Sequence, residues 1–340
     1  LLFYPILTRI YQPSDFGQYA IFIAFLSIGS LIVTGQYESG ILLPKKEKSV
    51  KYLVWGAITL AFIFSLIITG TLLLSSQFLA SKNLLNGNLI LVILGISIFI
   101  NALYQIGTYM TLRNRGFKAL SIINIINVGF SILFQYIFSL TEFKSIGLIV
   151  GCMIGTVVAM VCLFAYNRKT LKLDFKGSNL YLGVFNVLKR YKNFPFANLP
   201  AMLVNLLANQ MPQLLLNTFG QSIVGYFSMS QKVLGSPVTL FSTSVSHVFK
   251  ERASSDYRNK GNCQPIFIKT FKSLFLISII PFILLFIFAP TIVPIIFGAE
   301  WVEAGVYIRA LTLMYFFKFT VSPLSYVIVI AERQKLNLLL

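Results

Sequence analysis

The sequence predicts an all-α integral membrane protein, a polytopic helix bundle with nine whole helices and one partial one in its 340 residues. Three observations carry that prediction. Hydrophobic residues make up 56% of the chain and charged residues 11%, with 32 Phe and a mean hydropathy of +0.80, far outside the range of soluble domains. The apolar runs are ~20 residues long, which suits membrane-crossing helices and not barrel strands of ~10 alternating residues. Finally, 22 of the 28 Lys and Arg residues fall in alternate loops.

Taken in order, Leu1 to Ile10 reads as the end of a first helix, closed by a turn at Tyr11 to Asp15 with Pro13 as breaker. Further spans are expected at 17–37, 53–75, 89–112, 119–141 and 146–166, then at 194–218, 223–247, 266–290 and 303–330. The basic loops follow the second, fourth, sixth, eighth and tenth spans, while the opposite loops hold Arg9, Lys82 and Lys144. The positive-inside rule makes the first set cytoplasmic. The longest loop, 167–193, divides the spans into an N-terminal membrane segment, 1–166, and a C-terminal one, 194–340. Within it Tyr181, Val184, Phe185 and Leu188 keep helical spacing ahead of Lys189, Arg190 and Lys192, which reads either as a helix on the cytoplasmic leaflet or as a plain basic linker. Because the chain starts without Met inside an apolar segment and stops at Leu340 after another, it reads as a fragment.

The stretch Asn193 to Gly220 is apolar yet carries a line of amides. At ~100° per residue Asn198, Asn205, Asn209 and Gln213 share one narrow stripe, with Leu203, Leu206, Leu207, Leu214 and Leu215 on other faces. Pro200 and Pro212 are expected to interrupt its hydrogen-bond ladder. Ser97, Asn101, Gln105 and Thr108 line one helix face, and Asn124, Asn127, Ser131 and Gln135 the next. Such amides either bind polar groups in a water-filled path or join helices.

Outside the loops, three cations remain within spans: Lys232, Arg309 and Lys318. A cation deep in a bilayer costs ~2.5–3.5 kcal/mol or more, so it normally faces a bundle interior or a watery path. Arg309 is near enough to the outer end to snorkel. No acidic residue occupies the middle of a span: Glu38 is at the cytoplasmic end of the second helix, in a capping or interfacial role, and Glu300 and Glu303 belong to an outer turn. The positive excess suits an anionic ligand such as a phosphate or pyrophosphate, and the amides suit sugar hydroxyls. In this setting the net charge of +18 does not imply nucleic acid. Cys152, Cys162 and Cys263 give neither a disulfide framework nor a metal cluster. His247 is the single histidine, paired catalytic carboxylates and a Gly-rich phosphate loop are absent from the sequence, and no cofactor is implied.

Several stretches carry a family resemblance: LFYPILTRIYQPSDFGQYAIF at the start, then QYESGILLPKKEKS, YKNFPFANLPAMLVNLLANQMPQLLL, GYFSMSQKVLGSPVTLF and IIFGAEWVEAGVYIRAL. Over nearly its whole length the chain resembles the polysaccharide-biosynthesis and O-antigen flippases of the multidrug/oligosaccharidyl-lipid/polysaccharide exporter superfamily. The resemblance implies two six-helix lobes, with the start of the first helix and the last two helices missing. It implies a multi-pass protein of the bacterial cytoplasmic (inner) membrane that moves undecaprenyl-pyrophosphate-linked oligosaccharide, an O-antigen or capsule repeat unit, outward by alternating access. A lipid-linked anionic oligosaccharide and the phospholipid bilayer are then its partners, with a polysaccharide polymerase and a chain-length regulator as candidates. Lys232 in SQKVLG and Arg309 in YIRAL fall where the family often has basic residues, Lys318 is carried over on weaker grounds, and Gln36 stands where relatives often have Arg. On this reading the three cations draw the pyrophosphate while Asn205, Asn209, Gln213, Asn101 and Gln105 handle the sugar. One rival is a cation-coupled multidrug exporter of the same superfamily, for which a buried acid is expected. Another is a membrane polymerase of the pathway, for which a large outer loop is expected.

Overall fold

The structure, a computed structural model, describes residues 3–85, 87–141, 144–168 and 180–330. All regular elements among them are helical. In chain order they are α1 (Tyr4–Ile10), α2 (Pro13–Thr34), α3 (Tyr37–Gly40), α4 (Glu47–Leu74), α5 (Ser76–Ser81), α6 (Asn88–Arg113), α7 (Phe117–Ser139) and α8 (Lys144–Tyr166). There follow α9 (Leu180–Arg190), a π-turn at Phe194–Asn198, α10 (Leu199–Leu216), α11 (Gln221–Lys260), α12 (Gln264–Phe297), α13 (Val302–Val321) and α14 (Val327–Ile330). The expected cytoplasmic cations Lys169, Lys172, Lys176, Arg333 and Lys335 lie outside the described residues, as does the side chain of His247.

Seven of the described helices are long and apolar enough to cross a membrane. Those that carry the amide stripe and Lys232, α10 and α11, are outside that group, since polar side chains dilute their hydropathy.

Several boundaries differ from expectation. The second span stops at Thr34 because Gly35 and Gln36 both turn left-handed, at φ of 54° and 61°. Residues 250–260, expected as a basic loop, continue α11 to Lys260. The helical continuation has an apolar side: Phe249 and Ala253 are buried with Cys263 and Leu324. Pro200 does not interrupt α10, because it lies in the first turn, where its missing N–H has no partner to lose. Pro212 does lie inside the helix. The last span ends at Val321, where the chain tightens into a 3₁₀ turn at Ser322–Leu324. Linker residues 180–190 are helical.

The described residues form two compact units. Residues 14–225 make one, cored by Ile21, Phe22, Leu91, Leu94, Ile98 and Ile149. Helices α7 and α8 lie against each other through small residues: a Cβ added at Gly151 would come 2.6 Å from the Gln135 backbone nitrogen. Gln135 Nε2 donates to the Leu148 carbonyl at 3.0 Å across the same seam. Residues 1–13 and 226–340 make the other unit, in which α1 is anchored far along the chain. Trp301 Nε1 donates to the Thr8 carbonyl at 2.9 Å, and Arg9 Nη2 to that of Ile295 at 3.2 Å. Ser230 Oγ ties α11 to α13 through the Ala304 carbonyl at 2.9 Å.

Candidate functional site

The three candidate cations belong to the second unit and the five candidate amides to the first. Lys232 is half-buried on α11. Its ammonium donates to Tyr4 Oη at 2.6 Å and lies 4.7 Å from the centre of the same ring. A phenol is a neutral acceptor and the ring face is electron-rich, so together they lower the cost of holding an ammonium without cancelling its charge.

Lys318 and Arg309 are exposed on α13. Nine residues apart on a straight helix, at ~100° each, they fall on opposite sides, so α13 by itself does not gather both at one place. The Lys318 ammonium lies 5.5 Å from the Tyr315 ring. That ring faces α11, since a Cβ added at Gly235 would come 3.5 Å from it. Gly235 is one helical turn beyond Lys232. Tyr4 and Tyr315 are the residues that sequence reasoning missed. The Tyr315–Lys318 spacing of three was a usable signal for the latter. For Tyr4, whose contact reaches a residue 228 positions away, there was none.

On α10, Asn205 and Asn209 are exposed, and Asn209 Nδ2 donates to the Asn205 carbonyl at 2.8 Å and to its Oδ1 at 3.1 Å. Gln213, farther along the stripe, is half-buried. On α6, Asn101 and Gln105 are half-buried, and Asn101 Nδ2 reaches Ser30 Oγ at 3.4 Å. The neighbouring amide row is committed to helix contacts: Tyr104 Oη donates to Asn124 Oδ1 at 2.6 Å, and Ser131 Oγ to Asn127 Oδ1 at 3.3 Å. Glu38, expected at an interface or as a cap, is buried with 1% of its surface exposed.

The described helices make a multi-pass membrane fold that carries its candidate cations on α11 and α13 and its candidate amides on α6 and α10. The family model described as "Polysaccharide biosynthesis protein" matches residues 6–306, and the chain belongs to that family. Among solved structures, a multidrug resistance MATE family transporter of the MOP superfamily, in its inward-facing conformation, superposes with a TM-score of 0.63 at 13% identity. The match covers 97% of this chain and 83% of that one, and at such identity it speaks for the fold alone. A MATE structure in the bent conformation matches with a TM-score of 0.42 at 14% identity, covering 94% of this chain and 78% of that one. The search of curated proteins gave no match. The transporter fold and the family resemblance expected from sequence are thus shown.

Proposed function

We propose that the chain is a flippase that carries undecaprenyl-pyrophosphate-linked oligosaccharide across the bacterial inner membrane by alternating access. The observation that carries this reading is the Lys232 ammonium held by the Tyr4 phenol on a half-buried helix face. Lys232 attracts the pyrophosphate, joined by Lys318 beside Tyr315 and by Arg309. The exposed Asn205 and Asn209, with Gln213, Asn101 and Gln105, exchange hydrogen bonds with sugar hydroxyls, replacing those the sugar makes with water. Helix α9, where the described part of the linker resumes, rests on the cytoplasmic leaflet through exposed Tyr181, Leu182 and Phe185.

Replacing Lys232 by Ala removes surface polysaccharide while leaving the protein in the membrane at its normal level. Normal polysaccharide in that variant, by gel profile of cell-surface extracts, counts against the reading.

A second reading, multidrug export, is favoured by the fold match to a multidrug transporter. The two separate on substrate: a flippase variant with Lys232 removed loses polysaccharide and keeps drug tolerance unchanged, whereas an exporter shows the reverse.

A further inference from the structure

The end of α2 does more than terminate a helix. Positive φ at Gly35 and Gln36 reverses the chain into α3 and turns Glu38 inward. Glu38 Oε1 accepts from Gln36 Nε2 at 3.2 Å, while Oε2 is buried without any hydrogen-bond partner. An ionised carboxylate with one orphaned oxygen loses more hydration than its few donors return, whereas a neutral carboxylic acid tolerates such a place far better.

The same turn is the seat of the linker. Tyr37 Oη donates to the Leu188 carbonyl at 3.2 Å. A Cβ added at Gly40 would come 3.2 Å from the Phe194 ring, and one at Gly35 would come 3.5 Å from Pro195, so the π-turn lies directly on α3. Val187, Leu188 and Tyr191 pack on the cluster that contains Tyr37, Ile41 and Leu53. From the other side Arg113 clamps the turn, with Nη1 on the Ile41 carbonyl at 3.0 Å and Nη2 on that of Pro44 at 2.6 Å.

We propose that Glu38 is a proton-binding site that sets the hold of the linker on the bundle: with the proton bound, α3 stays closed and α9 and the π-turn stay docked. With the proton gone, water must reach Oε2, the turn opens and the linker loosens. The inference does not depend on what the protein carries.

Burial pushes the Glu38 carboxyl above the ordinary carboxylate range, opposed by its own backbone N–H and by the Thr34 hydroxyl. The other titratable or charged groups on the surrounding elements are Tyr37 on the same turn, Lys45 and Lys46 after it, Glu47, Lys48, Lys51 and Tyr52 on α4, Tyr104, Tyr109 and Arg113 on α6, and Tyr181, Lys189, Arg190, Tyr191 and Lys192 on the linker side. None of them contributes to the shift. Because the neutral form is the one favoured in the closed turn, the hold is complete below the ordinary carboxylate range. It is lost as pH rises through the raised value.

The test is hydrogen–deuterium exchange of residues 180–198 in the full chain in lipid nanodiscs, from pH 5 to 8.5, corrected for the intrinsic rate. The wild type should exchange about tenfold faster at the upper end than at the lower. Glu38→Gln, a neutral isostere, should stay slow throughout. A flat wild-type profile overturns the proposal, as does a Glu38→Gln variant that keeps the wild-type pH dependence. Should that variant misfold, Thr34→Val decides. Removing the hydroxyl that favours the ionised carboxyl must move the midpoint to higher pH, and an unmoved midpoint rejects Glu38 as the titrating group.

Discussion

The Lys232 ammonium and the Tyr4 phenol form a charge-assisted hydrogen bond with the ring face close by. Bonds of that kind contribute about 1.5–3 kcal/mol, and the ring adds a smaller share. Tyr4→Phe keeps the ring and removes the acceptor, so on the proposed reading surface polysaccharide should fall about tenfold, with a larger loss in Tyr4→Ala. Quantified surface polysaccharide at matched expression checks both, and a wild-type level in Tyr4→Phe excludes the hydroxyl from the site. Lys232 was legible in the sequence because a cation well inside an apolar run is costly enough to need a reason. Tyr4 was not, because an aromatic residue in a membrane helix is ordinary until its partner is known. Asn101 was legible as a polar residue, but its bond to Ser30 shows how an amide can serve a helix contact as well as a ligand.

Among elements, the α7–α8 seam and the α1 anchor show where packing is least forgiving. Gly155 faces Ser131 and the Asn127 carbonyl so closely that a Cβ there would come 2.5 Å from that oxygen. Gly155→Leu should therefore destabilise the protein by about 1–3 kcal/mol or more, seen as a lower melting temperature in detergent. Trp301 is fully buried and its Nε1 is bonded to the Thr8 carbonyl. Trp301→Phe leaves that carbonyl without its donor and should cost about 1–3 kcal/mol by the same measurement. Helix existence was readable from hydropathy, but helix ends were not. The extension of α11 to Lys260 looked like a basic loop because its apolar side is only two residues wide, Phe249 and Ala253. The stop at Thr34 depends on left-handed Gln36, a conformation that the residue type does not advertise.

For the whole molecule, the loop charges lead us to propose an orientation with the basic loops cytoplasmic. In a cysteine-free background, Arg115→Cys should react with a membrane-impermeant thiol reagent in inside-out vesicles, and Lys82→Cys in intact spheroplasts. The opposite pattern inverts the topology proposed from Lys and Arg. By itself the sequence determined that the protein lives in a membrane, that the regular elements among its described residues are helices, and which family it belongs to. These are properties of composition, run length and local motif, and each needs only neighbours along the chain. The tertiary structure alone decided that α1 packs with residues 226–340, that a phenol meets Lys232, and that Glu38 is enclosed beneath the linker. Those outcomes join residues far apart in the chain, and no hydropathy or periodicity records which distant side chains will exclude water from one another.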